Sequence, residues 1–253
     1  MRLLILPLFA SWLLCGAFAA DELPPPEATE EWTPVPPVVI APAGVPPSDA
    51  LVLFEGSSVE AWEPVRPGEP GWKIEHGAMV IVPNPKPCDL RTKAAFGDIQ
   101  LHLEFRAPAK IAGSGQGRGN SGIFFMGLYE LQILDSWQNP TYVNGQAAAI
   151  YKQHPPLINA SRPPGEWQTY DVVFIAPRFA ADGRLLSPAR ITALHNGVLV
   201  QYDAVLRGPT VFRGEPHYAP HAAKLPLVLQ DHRNPVAFRN IWIRELALPA
   251  VKP

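Results

Sequence analysis

Cysteine is scarce: Cys15 and Cys88 are the only two in the chain. Cys15 lies in an apolar leading segment of the kind that is removed. One thiol is then left to the mature protein, which excludes an internal disulfide even in a compartment that would allow one. Stability must come from a packed core instead. Long runs of one charge are also missing. The 23 acidic and 21 basic residues nearly cancel, to a formal net charge of -2, so neither nucleic acid nor an anionic membrane is favoured as a partner and neutral ligands fit better. No stretch sustains the 3.6-residue apolar period of an amphipathic helix, and no repeat of fixed length marks a propeller or solenoid. The glycine-rich run from Ala107 to Gly119 lacks both G-x-G-x-x-G and a following Gly-Lys-Ser/Thr, so it reads as a flexible rim rather than a phosphate cradle. No spaced pattern identifies zinc or an EF-hand calcium loop.

Proline, by contrast, is abundant, 31 of 253 residues. Pro24-Pro25-Pro26, Pro34, Pro36-Pro37, Pro42 and Pro46-Pro47 crowd residues 21–48, where missing amide donors and fixed φ predict an extended linker. A proline-rich ligand for some partner is the alternative. Ahead of it, Met1-Arg2, the apolar run Leu3 to Leu14 and Ala17-Phe18-Ala19-Ala20 have the charged start, hydrophobic middle and Ala-x-Ala end of a secretory signal peptide over residues 1–20. The run is short for a membrane span. A secreted or periplasmic location follows, with no integral membrane segment after cleavage. Cys15 stands where a lipoprotein cysteine would, but behind Leu14 rather than the usual Gly or Ala, so a lipid anchor is the lesser reading.

Residues 49–250 read as one β-domain. Short runs rich in Val, Ile, Leu, Phe and Trp alternate with Gly, Pro, Asn and Asp, and predict strands at Leu51–Phe54, Trp72–Glu75, Ala78–Val82, Ile99–Arg106, Ser121–Met126, Tyr129–Leu134, Trp167–Ile175, Arg190–Leu194, Val198–Tyr202, Leu225–Gln230 and Ala237–Leu246. His76-Gly77 and Asn196-Gly197 sit between paired runs as hairpin turns. So many strands at short spacing predict a two-sheet antiparallel sandwich rather than βαβ units.

The densest chemistry lies between Arg118 and Asp135. A strand from Tyr129 puts Glu130 and Gln132 on one face and Tyr129, Leu131 and Ile133 on the other, whereas Asp135 joins Glu130 only if a bulge or the strand end re-aims it. Arg118, on the rim, is a candidate substrate clamp. The polar face of Ile99–Arg106, with His102 and Glu104, is either a solvated exterior or part of the same groove floor. The long loop from Ser136 to Pro164 keeps Trp137, Tyr142, Tyr151 and His154 among prolines and amides, as binding loops do when rings stack on sugars. Gln230-Asp231-His232 closes an apolar strand with groups suited to ligand or acid–base work.

These pieces also carry a likeness. Leu53-Phe54-Glu55-Gly56, Trp72 to Ala78, Arg91-Thr92-Lys93, Phe96-Gly97-Asp98, Asn120-Ser121-Gly122-Ile123-Phe124, Tyr129 to Asp135, Ala149-Ile150-Tyr151, Pro164-Gly165-Glu166-Trp167, Leu229-Gln230-Asp231-His232 and Phe238-Arg239-Asn240-Ile241 resemble, in that order, the 3-keto-disaccharide hydrolase domain family. The resemblance implies a concanavalin A-like jelly-roll sandwich and cleavage of glycosides already oxidised to a ketone at sugar C3. A ketone there acidifies the C2 proton, so elimination needs a base, donors or a metal for the enolate oxygen, and an acid for the leaving group. On this reading His232 or Glu130 is the base, and Asp135 or Asp231 orients it or binds a divalent cation. Arg118 and Asn120 hold keto and hydroxyl oxygens, Gln132 and Gln230 fix the sugar, and Tyr151, Trp137 and His154 contact it. A two-carboxylate hydrolysis similar to that of the sandwich glucanases is harder to run, because Gln132 stands where the second carboxylate is wanted. A lectin-like carbohydrate-binding module without turnover is the alternative from another class.

Overall fold

The computed structural model describes residues 23–248 apart from 67, 69 and 70. The expected signal peptide and Cys15 lie outside these residues. Of the described residues, 23–38 and 39–248 belong to two separate compact units. In the first, Pro26–Thr29 makes a single 3-10 turn, where the proline content predicts only extended chain. The Trp32 indole N–H there donates to the Glu30 carboxylate at 3.1 Å.

The second unit is almost entirely β. Its strands are β1 (Leu51–Phe54), β2 (Trp62–Pro64), β3 (Trp72–Glu75), β4 (Ala78–Ile81), β5 (Leu90–Phe96), β6 (Ile99–Arg106), β7 (Ser121–Phe125), β8 (Tyr129–Ile133), β9 (Gln168–Ile175), β10 (Arg178–Phe179), β11 (Leu185–Ser187), β12 (Arg190–His195), β13 (Val198–Val205), β14 (Leu225–Leu229) and β15 (Ala237–Glu245). An eight-stranded sheet runs β13-β12-β9-β6-β15-β4-β3, with β1 also on β15, and a five-stranded sheet runs β2-β5-β14-β7-β8. Every pairing is antiparallel. This is the jelly-roll sandwich of concanavalin A-like type that the strand pattern and the resemblance predict. No helix among the described residues is long and apolar enough to cross a membrane.

Alternation along each strand builds the core. Ile99, Leu101, Leu103 and Phe105 from β6 and Tyr170, Val172 and Phe174 from β9 are buried against Ile123 and Phe125 from β7 and Leu131 and Ile133 from β8. The rings of Phe125 and Phe174 stack across the layers with centroids 4.8 Å apart. Each such side chain contributes about 1.5–3 kcal/mol by leaving water, which supplies the stability that no disulfide provides. The two predicted hairpins form as expected. His76 and Gly77, and Asn196 and Gly197, all have positive φ, and Glu75 pairs with Ala78 while His195 pairs with Val198, as two-residue turns of right-handed sheets require.

Two expectations change. Strands β2, β5, β10 and β11 have no counterpart in the sequence reading; β5 was hidden because Arg91 and Lys93 break its apolar run. The polar face of β6 is not part of a groove with Glu130. It belongs to the other sheet, where the His102 ring bonds Asp171 at 2.7 Å and Glu104 accepts from Arg239 and Asn240 at 2.6 and 2.9 Å.

Candidate active site

The five-stranded sheet has one face in the core and the other under a cleft of about 510 Å³ lined by Gln116, Asn120, Phe124, Glu130, Gln132, Tyr142, Tyr151, Thr210, Phe212, Gln230 and His232. The strand period puts them there. With Tyr129, Leu131 and Ile133 fully buried in the core, Glu130 and Gln132 must point the other way, and cross-strand register sets Phe124 opposite Glu130 and Gly122 opposite Gln132. Gln230 follows β14 and donates its backbone N–H to the Gly122 carbonyl at 3.0 Å, extending the same outward row.

Glu130 is the most perturbed acid of the cleft. Only 4% of it is exposed, and burial, reinforced by the negative charge of Asp89, pushes its carboxyl up to about 8. Its backbone N–H donates to the Thr210 hydroxyl at 2.9 Å, and its carbonyl accepts the Tyr151 N–H at 3.2 Å. The strand is thereby clamped on both sides while the carboxyl is left to the cleft. Glycine at 122 makes room for it: a Cβ there would lie 2.6 Å from Glu130 Oε1.

Amides and rings complete the walls. Gln132 Nε2 donates to Gln116 Oε1 at 3.0 Å, and Asn120 Nδ2 donates to the Gln116 carbonyl at 2.7 Å. The side-chain carbonyl oxygens of Gln132 and Gln230 are buried, yet neither accepts a hydrogen bond from the described residues. Leaving a buried acceptor unpaired costs about 1–3 kcal/mol, so both oxygens call for a ligand donor such as a hydroxyl. The Tyr142 and Tyr151 hydroxyls share a 2.7 Å bond. Burial and this bond raise the Tyr151 phenol well above its ordinary value, keeping it a neutral donor. Lys152 holds the far wall: its Nζ sits 4.3 Å from the Phe212 ring centroid and donates to the Phe212 carbonyl at 2.7 Å.

The structure therefore brings Glu130, Gln132, Asn120, Tyr151, Gln230 and His232 to one cleft. It does not bring the rest. Arg118 and Asp135 form a buried ion pair at 2.7 Å, with Arg118 also donating to the Trp137 carbonyl at 2.9 Å. The end of β8 aims Asp135 at Arg118, so neither is available as a clamp or base at the cleft. Trp137 does not line the cleft; its backbone N–H donates to Asp135 Oδ1 at 3.2 Å. The His154 ring bonds the Val205 carbonyl at 2.8 Å, also outside the lining. A cation held by Asp135 and Asp231 does not fit. The Asp135 oxygens accept from Arg118 and Trp137, and those of Asp231 accept the Cys88 and Arg233 N–H groups at 3.0 and 2.9 Å. All four oxygens are already engaged. Among the described residues no group of three or more His, Cys, Asp or Glu is placed to hold a metal.

Sequence reasoning missed Gln116, Thr210, Phe212 and the half-buried Asp89. Asp89 enters with β5; its Oδ1 accepts the Asp231 N–H at 2.8 Å. Burial, first, and the Asp231 charge raise its carboxyl. Thr210 and Phe212 lie in an irregular segment whose composition carries no periodic signal.

Comparison with known proteins identifies relatives of this fold. A search among curated proteins found no match. A solved protein of Parabacteroides distasonis described as a "putative glycosyl hydrolase" is 44% identical, with a TM-score of 0.83 over 88% of this chain and 97% of its own. Two further Parabacteroides distasonis proteins with the same description share the fold at 19% and 21% identity. Their TM-scores are 0.56 and 0.51, each over 78% of this chain and over 94% and 99% of their own. Residues 49–244 match the model of the 3-keto-alpha-glucoside-1,2-lyase-like domain, and the chain belongs to that family.

Proposed function

We propose that this is an exported carbohydrate-active enzyme that cleaves 3-keto-glucosides by elimination across C1 and C2. The observation that carries the reading is the Glu130 carboxyl, raised to about 8 by burial on the floor of a cleft walled by aromatic rings and unpaired amide oxygens. A ketone at C3 makes the C2 proton acidic, and a base whose conjugate acid titrates near neutrality is well matched to remove it.

Glu130 takes the C2 proton, and the C–H electron pair passes into the enolate at C3. The enolate then forms the C1=C2 double bond as the C1–O bond breaks, and His232 protonates the departing oxygen. The products are the aglycone alcohol and an unsaturated ketone; water adding its hydroxyl to C1 and its proton to C2 converts the latter to the free 3-keto sugar. In an α-glucoside the C2–H and C1–O bonds are anti to one another, so base and acid must approach from opposite faces of the ring. Glu130, buried on the floor, is assigned to one face and His232, exposed on the rim, to the other. For the enolate oxygen the cleft offers the Gln230 amide, the O–H of Thr210, whose oxygen accepts the Glu130 N–H, and the spare hydroxyl hydrogen of the Tyr142–Tyr151 pair. Such donors, held in place before reaction, stabilise developing charge. The Gln132 and Gln230 oxygens accept sugar hydroxyls, and Phe124, Tyr142 and Phe212 present ring faces.

A two-carboxylate hydrolysis of unoxidised glycosides is the competing reading, favoured by the charge of Asp89 that reaches Glu130. Asp89 is absent from the cleft lining and its Oδ1 is taken, which weighs against it. The test is aglycone release from matched 4-nitrophenyl glucosides. Release from the 3-keto-α-glucoside and none from the parent glucoside is expected. Release from the parent alone would establish the two-carboxylate route, and binding without release from either would make the protein a carbohydrate-binding module.

A further inference from the structure

A second depression, of about 700 Å³, is lined by Arg66, Asn84, Lys86 and Arg233 among others, with no carboxylate among its described lining residues. A smaller recess connects it to the cleft: Pro87 and Arg233 belong to groove and recess, and His232 belongs to recess and cleft. Resting on the function proposed above, we infer that this groove receives the leaving group, and that the natural leaving group carries an anion, a carboxylate or phosphate.

Direction comes first. The acid that protonates the departing oxygen is His232, and His232 stands between cleft and groove, so the alcohol leaves toward the groove. Charge comes second. The ion pairs among the described residues use other cations, leaving Arg66, Lys86 and Arg233 without an acidic partner there. Of the carboxylates nearby, buried Asp231 already accepts from the Cys88 and Arg233 backbone, and half-buried Asp89, whose carboxyl feels the Arg66 charge, accepts the Asp231 N–H.

Preorganisation comes third. Arg66 donates to the Pro87 carbonyl at 2.9 Å, Arg233 to the Pro85 carbonyl at 3.2 Å, and the Lys86 N–H to Asn84 Oδ1 at 2.9 Å. The first two bonds steady the guanidinium groups and the third fixes the backbone at Lys86, while Pro83, Pro85 and Pro87 stiffen the segment bearing Lys86. Each guanidinium keeps further N–H groups, and the Asn84 amide N–H groups remain to donate. Guanidinium and ammonium side chains lining one open groove are the chemistry that recognises carboxylate or phosphate.

The experiment compares a 3-keto-α-glucosyl uronic acid, the uncharged methyl ester of the same compound, and the corresponding sugar phosphate at low ionic strength. With the full chain, KM for at least one anionic compound is expected to be 10-fold or more below that for the ester, with the gap narrowing as salt screens it. The Lys86→Ala/Arg233→Ala double variant should lose the gap and keep kcat on the ester. Equal KM for all three compounds, or a gap that survives the double substitution, would overturn the inference. Calorimetric binding of the same compounds to Glu130→Gln, whose turnover is expected to be about 10³-fold slower, reads the groove independently of catalysis. Anion preference there without turnover by the parent chain would refute the elimination and leave the groove standing.

Discussion

Glu130→Gln should lower kcat/KM on a 3-keto-glucoside by about 10³-fold, the typical loss when a positioned base is removed, while making the protein more stable at neutral and mildly alkaline pH. The two effects have one cause. The Glu130 carboxyl titrates at about 8 in the fold against an ordinary value of 4.5. Between those values the folded state keeps a proton that the unfolded chain has lost. Stability is therefore fully present below pH 4.5 and declines as pH rises to about 8, by on the order of 4–5 kcal/mol in all. Glutamine carries no such penalty. The Tm of the variant should exceed that of the parent by a margin that widens from pH 5 to pH 8, read by calorimetric unfolding. A margin independent of pH, or full activity in the variant, would remove Glu130 from the role assigned to it. In the parent, kcat/KM should rise with pH on the acid side of its profile, because only the ionised carboxylate, which titrates at about 8, accepts the C2 proton.

Gly122→Ala should cost about 100-fold in kcat/KM with little change in Tm. The added methyl would sit 2.6 Å from Glu130 Oε1 and 3.0 Å from Phe124 Cε2. Its closest neighbour is thus the mobile end of a side chain, which can swing away cheaply. Alanine also restricts the unfolded backbone relative to glycine, so folding is not the casualty. What is lost is the position of the carboxylate, and a displacement near 1 Å is enough for a loss of about 10² in rate. A normal kcat/KM, or a collapse of Tm matching the loss of activity, would show that glycine serves the sheet rather than the base.

How far the site was legible in the sequence depends on whether a residue's place follows from period or from a distant partner. The alternation of Tyr129 to Ile133 fixes the faces of β8, and with them Glu130 and Gln132, because an apolar row at every second position has one place to go. The polar end of β14 likewise delivers Gln230 and His232. Asp135 lies beyond the last ladder pair, where its direction is set by Arg118, 17 positions earlier in the chain, and no local pattern encodes that. Arg118 looks like a clamp in a glycine-rich rim for the same reason. Asp89 escaped because β5 carries charges on its outward face, and Thr210 and Phe212 because their place depends on bonds to Glu130 and Lys152. The role of Gly122 needs the third dimension, since only a cross-strand neighbour explains why a side chain is forbidden there.

Deuterium placed at C2 of a 3-keto-α-glucoside gives the most direct test of elimination. Aglycone release should be slowed by a primary isotope effect, and the sugar product should have lost its C2 deuterium to solvent, in the parent chain and not in Glu130→Gln. Release at an unchanged rate with the C2 deuterium retained would mean that the C1–O bond is broken without touching C2, and would contradict elimination from Glu130.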